Sequence, residues 1–331
     1  KIAQNSSDIK VIVVEQAGLL GGTSTIGGVN CWEPGLGGPG IHYLLQKRLL
    51  SKKNQAGVGK SVHFYTPEYP WGKSEIDNSE DYSKTLRRFG LSKEEWRRFH
   101  FEPFPMALNM ENILLESGNV TIMYHTSFVD AEVKGDLIDR IIVYSHDKQE
   151  YYTIIASYYI DCSGDIVVAR KIGCEVSFGE EDYNRYNEPS APEQPTDNVN
   201  GISLIFRASP VRERCIDEIP NWARTDDARE WINRDNKPAV QINEYPNGDI
   251  NLNILPLMEG KEYFSLETYE RLKLCKARVY NYWNWLQTQK GFDTYTFKCF
   301  AQKVGVRESY RLVGKYVLTE TDVRAGFLKQ N

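Results

Sequence analysis

Residues 9–28 read IKVIVVEQAGLLGGTSTIGG and carry the clearest structural signal in the chain. The apolar run over 9–14 is rich in β-branched residues and lacks the alternation of a half-buried strand. It therefore predicts a strand buried on both faces, as in a parallel sheet. Nine glycines follow between Glu15 and Gly40. Glycines at this density outside a repeat indicate a backbone that turns sharply or lies close to a ligand.

Glu15 closes this strand, and its position has a chemical meaning. In a dinucleotide-binding βαβ unit, a carboxylate at the tip of the second strand accepts hydrogen bonds from ribose hydroxyls. The glycine turn of such a unit lies about 20 residues before that carboxylate, which places it before Lys1. For Glu15 taken alone, a surface glutamate at a strand end is an equally good interpretation.

The paired glycines after this strand form a second candidate site. Gly21 and Gly22, followed by hydroxyl residues at 23–25, offer N–H and O–H donors that suit pyrophosphate oxygens. A flexible loop is the alternative. A Walker A lysine is absent, so the sequence does not support a nucleotide triphosphatase. Residues 163–165 (SGD), between a predicted strand and helix, are a weaker candidate for aiming a helix N-terminus at a phosphate.

The pattern of the remaining chain predicts mixed secondary structure. Residues 120–161 consist of β-rich runs separated by polar turns, which predicts an antiparallel meander whose last strand leads into Asp161. Residues 54–83 are polar and are predicted as a loop. The Ser92–Glu95 capping box predicts a short helix through Phe99.

Length and composition limit the class of protein. The chain has 331 residues, which is about two domains of typical size. Its 41% apolar residues lie in short runs, which excludes a membrane-spanning helix and global disorder. With 40 basic and 45 acidic residues the net charge is −5, so no electrostatic attraction to nucleic acid or anionic membrane is expected. Six cysteines without a C-x-x-C motif predict free, mostly buried thiols and no metal site.

Four blocks together resemble one family, the FAD-dependent oxidoreductases with a glutathione-reductase-type flavin domain. EQAGLLGGTSTIGGVN at 15–30 is similar to the family's ribose-and-pyrophosphate segment, and SFVDAEVKGDLIDRIIV at 127–143 to its adenine-contacting strand and β-meander. YYIDCSGDIVVARKIGCEVSFGEE at 158–181 and KVGVRESYRLVGKYVLTETDV at 303–323 are similar to two further family blocks. The last block is typical of a bacterial subfamily whose members are sometimes labelled xanthan lyases.

The resemblance implies that FAD is the cofactor. The residues that match the family's dinucleotide contacts are Glu15 at the ribose, Gly21, Gly22 and Thr23 at the pyrophosphate, Val129 with backbone contacts to adenine, and Gly164 and Asp165 beside the dinucleotide. The sequence departs from the family pattern at Ile166 and Val167, where the family has a second Gly-Asp pair. The family's first glycine turn would precede Lys1 and its C-terminal flavin-contacting segment would follow Asn331, so a flavoprotein trimmed at both ends is expected.

Candidate residues for redox chemistry lie in two places. Cys31 and Trp32 follow the glycines and face the flavin in one interpretation, while a packed thiol is the alternative for Cys31. His42 begins a helix, where a capping or solvent role competes with a proton relay. Arg307 and Arg311 suit a substrate carboxylate or the flavin carbonyls, and ion pairs with local acids are the alternative.

Together these patterns predict a soluble α/β protein. A Rossmann-like FAD-binding domain with a β-meander is expected over 1–180, an inserted mixed α+β substrate or cap domain over 181–300, and a return to the FAD-binding domain over 301–331. A long helix is predicted over 265–289 and another helix capped at Thr319.

The expected function is that of a FAD-dependent oxidoreductase, which transfers hydride from a small organic or sugar-derived substrate to flavin. The main alternative is a non-catalytic carbohydrate-binding or assembly module on a degenerate flavin fold, and a Rossmann methyltransferase is another. The expected partner is a small-molecule substrate, with neither nucleic acid nor membrane. A homo-oligomer is left open, and both cytoplasm and periplasm are compatible with the sequence.

Overall fold

The computed structural model describes residues 8–32, 40–59, 62–64, 98–232 and 239–325. The strands in these ranges are β1 (Val11–Val14), β2 (Cys31–Trp32), β3 (Ala56–Gly59), β4 (Val62–Phe64), β5 (Arg98–Phe101), β6 (Val120–Met123), β7 (Thr126–Lys134), β8 (Leu137–Ser145), β9 (Glu150–Ile154), β10 (Val176–Ser177), β11 (Phe206–Pro210), β12 (Ala239–Glu244), β13 (Ile250–Leu255), β14 (Tyr295–Phe300) and β15 (Arg311–Leu312). The α-helices are α1 (Ile41–Leu50), α2 (Pro103–Leu115), α3 (Val167–Lys171), α4 (Tyr183–Tyr186), α5 (Asp226–Ile232), α6 (Gly260–Ser265), α7 (Thr268–Lys290) and α8 (Glu320–Ala325).

The predicted parallel strand is present as β1, which pairs in parallel with β6. The expected burial on both faces was wrong, because Ile12 is 48% exposed and β6 is the only described partner of β1. The register places Val11 opposite Val120 and Val14 opposite Met123. The prediction for residues 120–123 was wrong in one respect, because this run joins β1 and not the meander. A parallel pairing of strands this far apart in sequence requires a long crossover, which no local pattern reveals.

The meander consists of β7, β8 and β9 in an antiparallel sheet, as predicted. Gly135 has φ +60° and turns the chain between β7 and β8. Residues 155–161 were expected to form a last strand, but they form none, and Tyr158 and Ile160 are largely exposed. No described strand pairs with this run, and an unpaired extended run gains no ladder hydrogen bonds.

The largest core lies between a five-stranded sheet and α7. The sheet has the order β14-β11-β13-β12-β4, and every pair in it is antiparallel. Trp283 of α7 is almost fully buried against Phe206 of β11, with ring centroids 5.6 Å apart. Burying each such side chain contributes about 1.5–3 kcal/mol. The predicted long helix is thus confirmed, and Gly291 with φ +78° follows its last residue.

A second core joins the three-stranded sheet β2-β5-β3 to α1 and α2. Phe99 and Phe101 alternate on one face of β5 and are fully buried against helix residues such as Leu45. The helix predicted through Phe99 is therefore wrong at that residue, while its capping box at 92–95 lies outside the described residues. The loop predicted over 54–83 is also wrong at β3 and β4, and the rest of that loop is only partly described.

The C-terminal part of the described chain returns to the region after the meander. β15 pairs with β10, and α8 begins after Thr319. Asp322 N donates to Thr319 Oγ1 at 3.2 Å and Thr319 N donates to Asp322 Oδ2 at 3.1 Å, so the predicted cap is confirmed. None of the six cysteines, all of which lie in the described ranges, forms a disulfide bond, but only Cys31 and Cys275 are buried, so the expectation of mostly buried thiols was wrong. Among the described helices, none combines the length and apolar character needed to cross a membrane.

Candidate dinucleotide site

Glu15 lies at the carboxyl end of β1, where the strand passes into a turn. Its backbone is fixed on both sides, because Glu15 N donates to Met123 O at 2.9 Å and Thr126 N donates to Glu15 O at 3.0 Å. The carboxylate oxygen Oε1 accepts from Ala17 N at 2.8 Å. The other oxygen, Oε2, accepts no hydrogen bond from the described residues. Glu15 therefore offers one half-buried carboxylate oxygen at the end of a parallel strand.

The corner around Glu15 is anionic. Burial raises the pKa of Tyr124 to about 12, and the nearby carboxylates of Glu111 and Glu15 contribute to the same shift. The Tyr124 phenol thus stays protonated at neutral pH, and the two carboxylates carry the charge of this corner. Hydroxyl donors, such as those of ribose, suit such a corner better than a phosphate does.

The glycine turn that follows has a backbone open to a ligand. Gly21 and Gly22 have φ +103° and +47°, a region that favours glycine. A Cβ at Gly21 would lie 2.7 Å from Thr25 Cγ2 and 2.9 Å from Met110 Sδ, whereas a Cβ at Gly22 would meet no atom within 4 Å. The N–H groups of Gly21, Gly22 and Thr23 donate to no backbone carbonyl in the described part of the chain. This open turn can accommodate the pyrophosphate of a dinucleotide.

The end of the glycine segment, residues 26–28, is held by hydrogen bonds from the five-stranded sheet and from the residues that follow β14 in sequence. Asn251 Nδ2 donates to Gly28 O at 2.7 Å, and Lys303 N donates to Ile26 O at 3.0 Å. A Cβ at Gly28, which has φ +77°, would lie 2.9 Å from Ala301 Cβ. The segment therefore has no freedom to shift at this end.

Val129 lies in an irregular part of β7. The register passes from Phe128 opposite Val143 to Asp130 opposite Ile142 and leaves Val129 without a partner residue. Such a bulge interrupts the ladder and frees the local backbone groups for other contacts. This position is compatible with the backbone role that the family resemblance implies for Val129.

The turn before α3 does not offer a phosphate site, because Asp161 already occupies the start of the helix. Its carboxylate accepts from Val168 N at 2.9 Å and from both Ser163 N and Ser163 Oγ, at 3.0 and 2.7 Å. Burial alone would raise the pKa of Asp161, but these hydrogen bonds hold that pKa below its usual range. Gly164, with φ +83°, is exposed in this turn.

Asp165 connects this turn to the C-terminal block of the chain. Its Oδ1 accepts a hydrogen bond from Ser309 Oγ at 2.6 Å, and Ser309 is buried. Two of the four blocks that resemble the family therefore meet in space. No sequence pattern marks Ser309 by itself, although it lies inside the RESYR run of the matched block.

Arg311 and Arg307 have different surroundings. The guanidinium of Arg311 donates to Glu308, to Glu181 and to the carbonyl oxygen of Gly179, so this side chain is held by the protein itself. Burial alone would raise the pKa of Glu181, but hydrogen bonds from Ser177 and from Arg311 hold that pKa below its usual range. Arg307 is exposed and makes no ion pair with a described residue.

Cys31 and His42 lie on β2 and α1, two elements that contribute other residues to the second core. Cys31 is buried in β2, opposite His100 of β5. The His42 ring stacks on Trp32 with centroids 5.0 Å apart, and Trp32 Nε1 donates to Ser24 Oγ at 2.8 Å. Trp32 thus contacts the glycine segment directly, while His42 supports it through the stacked indole.

His125 borders the turn after Glu15, although no pattern in the sequence marks it. It lies between β6 and β7, and its ring nitrogen Nε2 would be 2.5 Å from a Cβ at Gly18, in the turn after Glu15. Its Nδ1 lies 2.8 and 3.0 Å from the two carboxylate oxygens of Asp147. Only the fold brings it to this turn, because it is more than 100 positions away in sequence.

A carboxylate at the end of a parallel strand, followed by an open glycine turn, is typical of dinucleotide-binding α/β proteins. The chain belongs to the FAD dependent oxidoreductase family, whose model matches residues 2–330. The predicted fold class, family and cofactor are thereby confirmed. No curated protein matches this chain.

Several solved structures of flavoproteins match this chain at low sequence identity. The chain is similar to CabE, an aromatic hydroxylase from angucycline biosynthesis (11% identity, 95% of this chain and 51% of that chain, TM-score 0.49). It is also similar to p-nitrophenol 4-monooxygenase PnpA from Pseudomonas putida DLL-E4 (8% identity, 92% of this chain and 62% of that chain, TM-score 0.48). A flavoprotein/dehydrogenase from Cytophaga hutchinsonii is 13% identical to this chain. The match covers 91% of this chain and 61% of that chain, with a TM-score of 0.46. The chain thus spans about half to two thirds of the length of these structures.

Proposed function

We propose that this chain binds FAD and is the cofactor-holding part of an oxidoreductase that takes hydride from a small organic or sugar-derived substrate. The observation that carries the proposal is the Oε2 of Glu15, which accepts no hydrogen bond from the described residues, in the chain segment that leads to the open turn at Gly22. FAD, when bound, supplies the redox chemistry, and the protein supplies binding, orientation and charge.

The residues have distinct roles in this proposal. Glu15 accepts hydrogen bonds from the ribose hydroxyls, and the open turn donates its N–H groups to the pyrophosphate. The backbone of Val129 contacts adenine, and Asp165 lies beside the dinucleotide. Arg307, as an exposed cation, is the better candidate of the two arginines for an anionic substrate group, because Arg311 is already paired.

We also propose the division of the chain into a FAD-binding domain over 1–180, a substrate domain over 181–300 and a return over 301–331. The five-stranded sheet lies mostly in the second range and takes β4 from the first. The contact between Ser309 and Asp165 supports the return of the third range to the first.

An absorption spectrum of the purified full-length protein tests the cofactor. The two visible flavin bands, with FAD identified after release, are the expected result. Glu15→Gln should weaken FAD binding, since an amide is a poorer acceptor for ribose hydroxyls. Glu213→Gln, at an exposed glutamate without a described contact, is the matched control. A colourless protein that takes up no added FAD would support a non-catalytic module instead.

Anaerobic mixing with substrates tests the reaction class. Bleaching of the flavin by small alcohols, acids or amines would favour an organic substrate, and bleaching by sugars or sugar acids a sugar-derived one. If Arg307 binds an anionic group, Arg307→Ala raises KM for acidic substrates and leaves KM for neutral substrates unchanged.

A further inference from the structure

The three hydroxyl groups that follow the paired glycines, at Thr23, Ser24 and Thr25, differ in their hydrogen bonds. Thr25 Oγ1 donates to Leu20 O at 2.7 Å, so its proton is used inside the turn. Thr23 is exposed, and its hydroxyl makes no hydrogen bond with a described residue. Ser24 is half-buried, and its Oγ accepts a hydrogen bond from Trp32 Nε1 at 2.8 Å. Of the three hydroxyls, that of Ser24 is thus held by a side chain from outside the turn.

This contact determines what the Ser24 hydroxyl can still do. An indole N–H only donates, so Ser24 Oγ is the acceptor in the pair. The proton of the Ser24 hydroxyl is therefore not used by Trp32, and it is donated to no described residue. With one lone pair occupied by the indole, the hydroxyl can turn its proton toward a ligand without losing its contact with Trp32.

The indole that makes this contact is held by three aromatic rings. The His42 ring stacks on it, with centroids 5.0 Å apart and planes at 26°. Phe101 and Phe99 meet it edge to face, with centroids 5.5 and 6.5 Å away. Both phenylalanines are fully buried in the second core. The position of Trp32 Nε1 is therefore set by the packing of that core.

The turn that carries Ser24 offers donors and contains no charged side chain. Ser24 ends the short 3-10 turn Gly22–Ser24, and the N–H groups of Gly21, Gly22 and Thr23 donate to no backbone carbonyl in the described part of the chain. Uncharged donors match a ligand oxygen that only accepts, and hydrogen bonds to phosphate oxygens are strengthened by the charge of the phosphate. Glu15, an acceptor, precedes these donors along the chain, as the ribose precedes the pyrophosphate in a dinucleotide.

We propose that Trp32 is a positioning residue of the dinucleotide site, which orients the Ser24 hydroxyl so that it donates its proton to a pyrophosphate oxygen of FAD. The inference rests on the proposed function, because it requires the pyrophosphate of FAD at this turn. Ser24 then adds a side-chain donor to the backbone N–H groups. Trp32 acts through Ser24 and does not touch the cofactor.

Binding of FAD, ADP and adenosine by the full chain at pH 8 tests the role of Ser24, because adenosine lacks phosphate. FAD is titrated directly, and the other two ligands are measured as its competitors. Ser24→Ala should lower the affinities for FAD and ADP roughly tenfold, the loss of one hydrogen bond to a charged group, and leave that for adenosine within about twofold. Ser24→Thr, which keeps the hydroxyl, should retain most of the affinity. Ser51→Ala, which removes a hydroxyl at the end of α1, is the control and should change none of the three affinities.

Two substitutions of Trp32 separate its hydrogen bond from its packing. Both Trp32→Phe and Trp32→His remove one ring of the indole, but Nε2 of histidine occupies the place of the indole Nε1 and can still donate. Trp32→Phe should lower the affinities for FAD and ADP by about three- to tenfold, and Trp32→His should lie closer to wild type. Adding Trp32→Phe to Ser24→Ala should cause no further loss, because Trp32 acts through Ser24. Trp222→Phe, at an exposed indole without a described hydrogen-bond partner, is the control.

The outcomes separate the two proposals. A wild-type chain that binds no FAD would overturn the proposed function. An FAD affinity that is unchanged in Ser24→Ala, or equal losses for ADP and adenosine, would overturn only the contact between Ser24 and the pyrophosphate. Equal losses in Trp32→Phe and Trp32→His, or a further loss in the double variant, would overturn the positioning role of Trp32.

A second measurement covers the case in which neither variant of Trp32 folds. In NMR spectra of the ¹⁵N-labelled protein, the indole N–H signal that Ser24→Ala displaces belongs to Trp32. This signal should also shift when ADP is added to wild type, and the absence of a shift would overturn the positioning role. If adenosine binds too weakly to compete, riboflavin replaces it as the ligand without phosphate.

Discussion

Asn251 of the five-stranded sheet donates its side-chain amide to the carbonyl oxygen of Gly28 at 2.7 Å. The same Nδ2 donates to the hydroxyl of Tyr245 at 2.9 Å, and Asn251 is only 1% exposed. The glycine segment proposed to hold the dinucleotide is therefore anchored by a residue 223 positions away along the chain. Its geometry depends on the integrity of the sheet.

Asn251→Ala should lower the free energy of unfolding by about 2–4 kcal/mol, because it leaves the Gly28 carbonyl and the Tyr245 hydroxyl buried without their partner. Urea denaturation followed by fluorescence measures the loss. Asn253→Ala is the control on the same strand, since no hydrogen bond of the Asn253 side chain is made with a described residue. We expect a loss below about 1 kcal/mol there. Equal losses in the free energy of unfolding of the two variants would contradict a specific stabilising role for the hydrogen bond from Asn251 to Gly28 O.

Arg207 extends this network to α2. Its guanidinium donates to Asp249 at 2.5 Å and to both oxygens of Glu102, at 2.7 and 3.0 Å, and it lies 3.8 Å from the centre of the Tyr245 ring. Burial alone would raise the pKa of Asp249, but the hydrogen bonds that it accepts, the strongest from Lys298, hold that pKa well below its usual range.

Asp249 should therefore make stability depend on pH in the acid range. A carboxyl whose pKa is lower in the folded than in the unfolded protein stabilises the fold above the unfolded pKa of about 3.9, and that contribution is lost as pH falls toward the folded value. Asp249→Asn should cost roughly 2–3 kcal/mol at neutral pH. The difference from wild type should be constant above about pH 5 and shrink below about pH 4.

Urea denaturation at a series of pH values measures this difference. Asp136→Asn, at an exposed aspartate in the turn before β8, is the control and should differ little from wild type at any pH. A cost for Asp249→Asn that stays constant down to pH 3 would show that the folded pKa of Asp249 is not lowered.

Gly18→Ala tests the close packing of the turn against His125. The added Cβ would lie 2.5 Å from Nε2, so the ring must move away and weaken its contact with Asp147. A loss of about 1 kcal/mol in the free energy of unfolding is expected, and almost none when the same substitution is made together with His125→Asn. Gly57→Ala, where a Cβ would meet no atom within 4 Å, is the control. Additive effects in the double variant would show that the two residues do not interact.

The parts of this fold that the sequence predicts are those with local signals. The β-branched run before Glu15 and the cap between Thr319 and Asp322 each involve residues a few positions apart, and both are present. The long helix α7 has an equally local signal. The glycines at 21 and 22 indicate an unusual backbone, and both have positive φ.

The parts of the fold that the sequence does not predict depend on contacts between residues far apart along the chain. Whether residues 120–123 pair with β1 or with the meander is decided by a crossover of more than 100 residues, and the run at 155–161 forms no strand without a neighbour. The apolar alternation of β5 competes with the helix signal of the capping box before it. The contacts of His125 with the turn at Gly18 and of Asn251 with Gly28 O form only through tertiary structure, so no local sequence pattern marks either contact.

Substitution of Arg311 should destabilise the protein, whereas substitution of Arg307, four positions earlier, should not. Arg311→Ala leaves the Glu181 and Glu308 carboxylates and the Gly179 carbonyl without their donor, so the free energy of unfolding should fall by about 1.5–3 kcal/mol. Arg311→Lys should recover only part of that loss, because an ammonium cannot reproduce the planar fork that reaches all three acceptors. Arg307→Ala should leave the unfolding midpoint unchanged, since the exposed side chain has no described partner.

Thermal and urea unfolding of the three variants measures these effects. FAD titration of the same variants shows whether the affinity for FAD falls together with the free energy of unfolding. Because Arg311 holds Glu181, its removal should also raise the pKa of Glu181 toward the ordinary range. The stability gap between wild type and Arg311→Ala should then narrow as pH falls through the acid range, where Glu181 becomes protonated in both proteins. If Arg307→Ala were instead the destabilising change and Arg311→Ala the silent one, the structural role assigned to Arg311 would be wrong, and Arg311 would become the better candidate for the substrate.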